Sequence, residues 1–280
     1  MKSHELILEI EKRLVSLAME TEKAKTSKVI RDYLKVMATF HQYSFHNTFA
    51  IYAYCPHATH VAGFSTWKKL GRYVKRGEKG IPILAPCRIK INQECDTDSD
   101  EDIQIPLYFK VVYVFDVSQT EGPPLPEAPI TATGSDQGLL SVLEQISAKH
   151  SIKLEYKALG GLHHGTSFGG RIEINANLEP ARKVAVIIHE LAHEFLHKGG
   201  DRKTISRQQR ELEAEATAFV VCSHFNIETS AANYLSLWDI PPEDIVASFQ
   251  RIHTVAIQLI QEIAELQAMS EAPCSATEGM

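Results

Sequence analysis

The chain has no apolar run long enough to cross a bilayer: none of its 280 residues falls in a stretch approaching the roughly 18 apolar positions a membrane helix needs. Its first residues, Met1-Lys2-Ser3-His4-Glu5-Leu6, open a charged amphipathic segment without the apolar core of a secretory signal. A disulfide framework is also missing. The five cysteines, Cys55, Cys87, Cys95, Cys222 and Cys274, are odd in number, scattered and without a CxxC pair, which fits free thiols in a reducing compartment. A cytoplasmic location without a membrane partner is therefore expected. Net positive charge is absent too, with 29 Lys and Arg against 35 Asp and Glu and a formal net charge of -6. That excludes a uniformly basic protein but leaves room for a local basic patch.

What remains is ordinary globular material, 44% hydrophobic and 23% charged, in a chain long enough for two domains. Apolar residues recur at helical spacing from Glu5 to Met37 and predict two helices separated near Lys25 to Ser27. A third helix is expected over Phe45 to Tyr54, stopped by Pro56, and a short one over Ser65 to Leu70, stopped by Gly71. Ile81 to Ile91 and Ile105 to Val117 are rich in β-branched and aromatic residues and predict paired strands, joined by an acidic, solvated loop from Glu94 to Asp102. The stretch Gln-Thr-Glu-Gly-Pro-Pro-Leu-Pro-Glu-Ala-Pro can bury little and marks a boundary. Beyond it the pattern predicts a helix over Leu139 to His150, strands at Lys153 to Tyr156 and Arg171 to Asn175, and helices from Pro180, from Arg207 and over Pro242 to Leu266. The fold class is thus α+β in two domains: N-terminal helices with a β-hairpin or small sheet at 1–118, a proline-rich linker at 119–137, a second α+β domain at 138–270 and a tail at 271–280.

Chemistry is concentrated in His189-Glu190-Leu191-Ala192-His193, an HExxH motif on the helix that Pro180 starts. The helical repeat puts His189 and His193 one turn apart on one face, the spacing two zinc ligands need. Glu190 is placed to act as general base toward a metal-activated water. The apolar lead-in Val184-Ala185-Val186-Ile187-Ile188 buries this helix, and buried histidines require partners. On the next helix Glu211 and Glu215 share a face amid Ala214, Ala216, Thr217 and Ala218, where an acidic pair is costly unless a cation neutralises it. Either glutamate can complete the site, and Glu213 points elsewhere. His197 is excluded as the third ligand, because a residue eight positions beyond the first histidine rises ~12 Å along a straight helix. It is expected at the helix C-terminus, favoured by the dipole. His163 and His164 read as loop residues, the strand Arg171 to Asn175 as a place for an extended substrate to pair, and Tyr234, His224 and His253 as unranked oxyanion donors.

A basic, aromatic-bearing segment stands out against the acidic whole. Trp67, Lys68, Lys69, Arg72, Lys75, Arg76 and Lys79, with Arg88 and Lys90 beyond, face a single acid, Glu78, and Tyr52, Tyr54, Phe64 and Tyr73 are interleaved. Aromatic faces stack on unpaired bases and cations track phosphates, so single-stranded nucleic acid is the ligand this combination suits, against the bland reading of a solvated charged face.

Two resemblances sharpen these expectations. The run Glu211-Leu212-Glu213-Ala214-Glu215 resembles the ExxA[DNE] element that follows HExxH in the gluzincins. That resemblance implies Glu211 as the third metal ligand and Glu215 as a carboxylate orienting a ligand histidine. The runs Tyr43-Ser44-Phe45-His46-Asn47, Ala58 to Phe64, Trp67 to Gly71 and Lys75 to Ile81, followed by an HExxH domain, resemble the ArdC-type antirestriction proteins. This implies a single-stranded-DNA-binding domain joined to a zincin metallopeptidase domain with one catalytic-type Zn2+, hydrolysing an amide bond of a protein substrate. The competing expectations are a non-catalytic protein with structural zinc that occludes DNA or a nuclease, and a regulatory protease that cleaves a repressor.

Overall fold

A computed structural model describes residues 1–24, 27–88, 107–123, 138–159, 164–197, 205–227 and 242–271. The elements are α1 (Ser3–Ala24), α2 (Ser27–Thr39), α3 (Phe45–Tyr54), β1 (Val61–Gly63), α4 (Phe64–Lys69), β2 (Tyr73–Val74), β3 (Ile81–Arg88), β4 (Leu107–Asp116), β5 (Thr120–Glu121), α5 (Leu139–Lys149), β6 (Lys153–Lys157), β7 (Gly165–Ser167), β8 (Arg171–Asn175), α6 (Pro180–Leu196), α7 (Arg207–His224) and α8 (Pro242–Glu271). The α+β class is as expected. The acidic loop, most of the proline-rich stretch, His163, Tyr234 and Lys90 lie outside the described residues.

The chain forms two compact units that are not consecutive in sequence: Met1–Leu14 with His46–Pro126, and Val15–Phe45 with Glu127–Met280. Residues 15–45 thus group with the C-terminal segment and not with the remainder of 1–118. The cause is the apolar face of α2, where Ile30, Tyr33, Leu34 and Met37 are buried and Tyr33 meets Phe249 of α8 edge-on at 5.2 Å.

In the first unit β1, β4 and β3 form an antiparallel sheet in that order, with Val61 opposite Asp116 and Ile81 opposite Val114. β3 is an edge strand, which normally exposes unpaired N–H groups to any passing strand. Here Leu84 donates its N–H to Asn47 Oδ1 at 2.8 Å and accepts from Asn47 Nδ2 at 2.9 Å, so α3 covers that position with a side-chain amide. Pro82 and Pro86, two residues to either side, have no N–H to offer. The outer edge of β3 is therefore closed to strand addition. Asp116, buried at the end of β4, accepts from the Thr59, His60 and Ser118 backbone N–H groups at 2.8, 3.1 and 2.9 Å and pins the chain entering β1.

In the second unit β6, β8 and β7 form a three-stranded sheet in that order, β6 parallel and β7 antiparallel to β8. Ile172 and Ile174 of β8 alternate into the core with Leu143, Ile146, Ile187, Ile188 and Leu191, so α5 and α6 cover one face of the sheet. β8 was the strand expected to receive an extended substrate. It is the central strand, with both edges already paired, and the edge strand beside α6 is β7.

α6 begins at Pro180, whose missing N–H costs nothing in a first turn. α7 is capped by Ser206, which accepts the Gln209 N–H at 3.1 Å. The small residues Ala214, Ala216 and Ala218 are buried along α7 and allow it to lie close against its neighbours, α6 and α8.

A candidate metal centre

The HExxH turn of α6 and the start of α7 bring three donor atoms together. His189 Nε2 lies 3.2 Å from His193 Nε2, and Glu211 Oε2 lies 3.7 Å from the first and 3.6 Å from the second. Tetrahedral coordination with bonds of ~2.0–2.1 Å places ligand atoms about 3.3 Å apart. The triangle lies within a few tenths of an ångström of that edge length, so the residues present fit a single divalent ion. Among the described residues this is the grouping of His, Cys, Asp and Glu able to hold a metal.

The electrostatics point the same way. Burial disfavours the charged form of His189, yet the Glu211 and Glu215 carboxylates outweigh burial and carry its pKa up to about 9. The two histidines in turn hold Glu211 well below the usual carboxylate range. A cation is thus accommodated here in either form, as a proton or as a metal. Burial pushes the neighbouring Glu190 carboxyl up to about 7, with Glu211 adding to the rise and His189 and the Ser167 backbone opposing it. A carboxyl poised near neutrality accepts and returns a proton readily.

Supporting contacts surround this triangle. Glu215 Oε2 is 3.2 Å from His189 Nδ1, the ring nitrogen turned away from Glu211. β7 presses on α6 closely enough that a Cβ on Gly165 would sit 2.7 Å from Val186 Cγ1 and 3.0 Å from Glu190 Oε1. A second glutamate of α6, Glu194, holds the turn after β7: it accepts from Ser167 Oγ and from the Gly169 and Gly170 N–H groups at 2.6, 2.8 and 2.6 Å. Glu194 was not foreseen, and its spacing from Glu190, one helical turn, was the available signal.

His197 ends α6 as expected, at its C-cap. Its side chain is buried, with Nδ1 3.1 Å from His193 Nδ1 and Nε2 2.9 Å from Glu213 Oε2. Glu213 does point away from the three donors, and it is wholly buried against His197, Arg251 and Ser248. Of the unranked oxyanion candidates, His224 directs Nδ1 at the Ala38 carbonyl and His253 directs Nε2 at the Tyr43 carbonyl, each at 3.2 Å.

The basic segment of the first unit divides into two groups. Lys68, Lys69, Lys75, Arg76 and Lys79 are exposed, and Phe64, Tyr73, Phe109 and Tyr113 are exposed aromatics of the same unit. Trp67 does not belong with them: it is 2% exposed, and its indole N–H donates to the Phe115 carbonyl at 2.9 Å, so no face is available to a base. Arg72 is likewise engaged, bonding to Thr120 Oγ1 at 2.9 Å and to the carbonyls of Thr120, Gly122 and Pro123. It fastens β2 to β5, where a phosphate-binding role was expected. Phe109 and Tyr113 were missed because alternation along β4 does not tell which face a sheet leaves uncovered.

Comparison with known proteins adds to this picture. Residues 3–115 match the N-terminal domain of the anti-restriction factor ArdC, and residues 148–256 match the IrrE N-terminal-like domain of the M78 peptidases. An uncharacterised protein of Bacillus anthracis is 28% identical over 291 aligned residues, covering 84% of this chain and 48% of that protein. The chain thus spans about half the length of that curated relative. The crystal structure of the antirestriction protein ArdC from plasmid R388 in its metal-free form has a TM-score of 0.49 at 19% identity, covering 80% of this chain and 86% of that one. Its Mn(II)-bound form gives 0.49 at 17%, covering 83% and 97%. No helix among the described residues is long and apolar enough to cross a membrane.

Proposed function

Because the chain joins an ArdC N-terminal domain to an IrrE-like domain and so belongs with the ArdC-type antirestriction proteins, we propose that it is a cytoplasmic single-stranded-DNA-binding antirestriction protein whose second unit hydrolyses an amide bond in a protein substrate. The observation that carries this reading is the convergence of His189, His193 and Glu211, with donor atoms within 4.8 Å of one another, next to the buried Glu190. Two imidazoles and a carboxylate with an open position are a donor set suited to Zn2+, which when bound lowers the pKa of a coordinated water and polarises a carbonyl. His189, His193 and Glu211 would hold the ion, and Glu215 would orient His189. Glu190 accepts a proton at its carboxylate and hands it to the departing amine nitrogen. The edge strand β7, against α6, is the place for an extended peptide to lie. In the first unit Lys68, Lys69, Lys75, Arg76 and Lys79 supply the phosphate-facing charge, and Phe64 and Tyr73 offer faces for bases.

Glu190→Gln tests the peptidase reading. The variant should take up Zn2+ or Mn2+ as the parent does, yet lose cleavage of host-lysate proteins and protection of incoming DNA from restriction. Undiminished protection would reject hydrolysis as the mechanism and leave occlusion of DNA or nuclease in its place.

A further inference from the structure

The third histidine of α6, His197, is set apart from the three metal-facing donors yet touches one of them. His193 offers Nε2 to the cluster with His189 and Glu211, and its other ring nitrogen, Nδ1, lies 3.1 Å from Nδ1 of His197. His197 then presents Nε2 to Glu213 Oε2 at 2.9 Å. The chain of contacts ends in a polar knot. Arg251 lies 2.8 Å from Glu213 Oε2, while Ser248 Oγ donates to Glu213 Oε1 at 2.7 Å and Gln209 Nε2 to the same oxygen at 3.4 Å. Glu213 is 0% and His197 2% exposed. Burying a carboxylate and an imidazole, beside a second imidazole that is half-buried, at a junction of α6, α7 and α8 is expensive unless each proton has a defined place.

Counting protons along this chain gives one arrangement. Glu213, paired with Arg251, is an acceptor only, so His197 must carry its proton on Nε2 to donate to it. A neutral His197 then has a bare Nδ1, which can only accept. The proton between the two histidines therefore belongs to His193 Nδ1, and His193 Nε2 is left with its lone pair directed at His189 and Glu211. We infer that His197 and Glu213 are positioning residues that lock His193 in the tautomer and ring orientation a metal ligand requires. Glu215 performs the equivalent service for His189 directly, at 3.2 Å from Nδ1. His193 receives it through an intervening imidazole. The inference rests on the metal reading of His189, His193 and Glu211 above.

The test combines metal titration with a measurement on the unaltered protein. Co2+ and Zn2+ are titrated into the full chain against a chromophoric chelator, alongside His197→Phe, His197→Gln and His189→Ala. His197→Phe should weaken metal binding about 10- to 100-fold, the usual effect of losing such an outer partner, and alter the visible Co2+ spectrum. His197→Gln, which keeps a carbonyl acceptor and an N–H donor, should recover most of that loss. Wild-type affinity and spectrum in His197→Phe overturn the relay. If His189→Ala also binds as the parent does, or the parent binds no metal, the site reading falls and the relay with it. If only His189→Ala fails to bind, the site stands and the relay alone is rejected. Should His197→Phe fail to fold, nitrogen-15 imidazole spectra of the Zn2+-loaded parent decide. The relay requires the proton of His197 on Nε2 and that of His193 on Nδ1, and a His197 protonated on Nδ1 refutes it.

Discussion

Replacing Trp67 by Phe separates two roles that the basic segment superimposes. The indole is 2% exposed and donates one hydrogen bond of 2.9 Å to the Phe115 carbonyl. Losing a buried donor costs about 1–3 kcal/mol where the acceptor is left unsatisfied. Shrinking the ring leaves a small void worth on the order of 1 kcal/mol. Together that is roughly 2–4 kcal/mol, which lowers the melting temperature of a unit this small by on the order of 10–20 °C. Differential scanning calorimetry of the full chain reads this directly. Fluorescence anisotropy with a labelled oligothymidine, at a temperature where both proteins are folded, reads binding. A base-stacking ring contributes about 1–3 kcal/mol of affinity, roughly 5- to 150-fold, and Phe, with a smaller face, would forfeit part of it. A core residue should change the dissociation constant less than twofold. A tenfold loss of DNA affinity without a fall in melting temperature would refute the burial argument and restore Trp67 to the binding surface.

Four further outcomes follow from particular contacts. Changing Lys68, Lys69, Arg76 and Lys79 together to Gln should reduce the magnitude of the log-affinity against log-salt slope by up to about 3, since each phosphate contact to a single strand contributes about 0.7. Arg72→Met should instead lower stability and leave that slope unchanged, and the reverse pattern would exchange their roles. Burial pushes the Asp116 carboxyl up, but its hydrogen bonds from Ser118, Thr59 and His60 outweigh this and hold it below the usual range. A carboxyl lowered in the folded state stabilises above its unfolded pKa of about 4 and loses that contribution as pH falls through the folded value. Urea midpoints should therefore drop below about pH 4 in the parent and stay flatter in Asp116→Asn; parallel curves would rule this out. Gly165→Ala should cut hydrolysis at least tenfold by displacing Glu190 while metal affinity holds, and unchanged turnover would show that the close approach of β7 is dispensable.

Much of this fold is legible because its elements announce themselves locally. Pro180 and the apolar lead-in to His189 define α6, the β-branched runs define β3 and β4, and the alternation of Arg171 to Asn175 defines β8. The short strands β1, β2, β5 and β7 carry no such pattern, since two or three residues cannot show a period. What the sequence conceals is allocation. Trp67 and Arg72 have the composition of a nucleic-acid surface, but whether an indole faces a base or a carbonyl depends on where Phe115 lies, 48 residues along the chain. The same holds for α2, whose apolar stripe is plain while its choice of partner is set by Phe249, far beyond it in sequence. At the candidate metal centre HExxH sets two potential donors by helical spacing alone, whereas the distance from Glu211 to them depends on how α6 and α7 pack.

The segment Glu211 to Glu215 shows how that packing is itself constrained. Three carboxylates alternate along a helix whose neighbours on it, Leu212, Ala214 and Ala216, are buried. Glu213, wholly buried, would be costly in that setting without a partner of its own, whereas Glu215 is half-buried and Glu211 exposed. The helical repeat turns Glu211 and Glu215 to one side and Glu213 to nearly the opposite side. The partners are arranged to match: His189 and His193 of α6 for the first two, and His197, Arg251 and Ser248 for the third. Small apolar residues alone would tolerate several rotations of α7 about its axis, because Ala214, Ala216 and Ala218 differ little in shape. A rotation by one residue, about 100°, would move all three carboxylates off their partners at once. Glu213, the charge hardest to bury, therefore selects the rotation of α7, and that rotation is the one that carries Glu211 to the two histidines of α6.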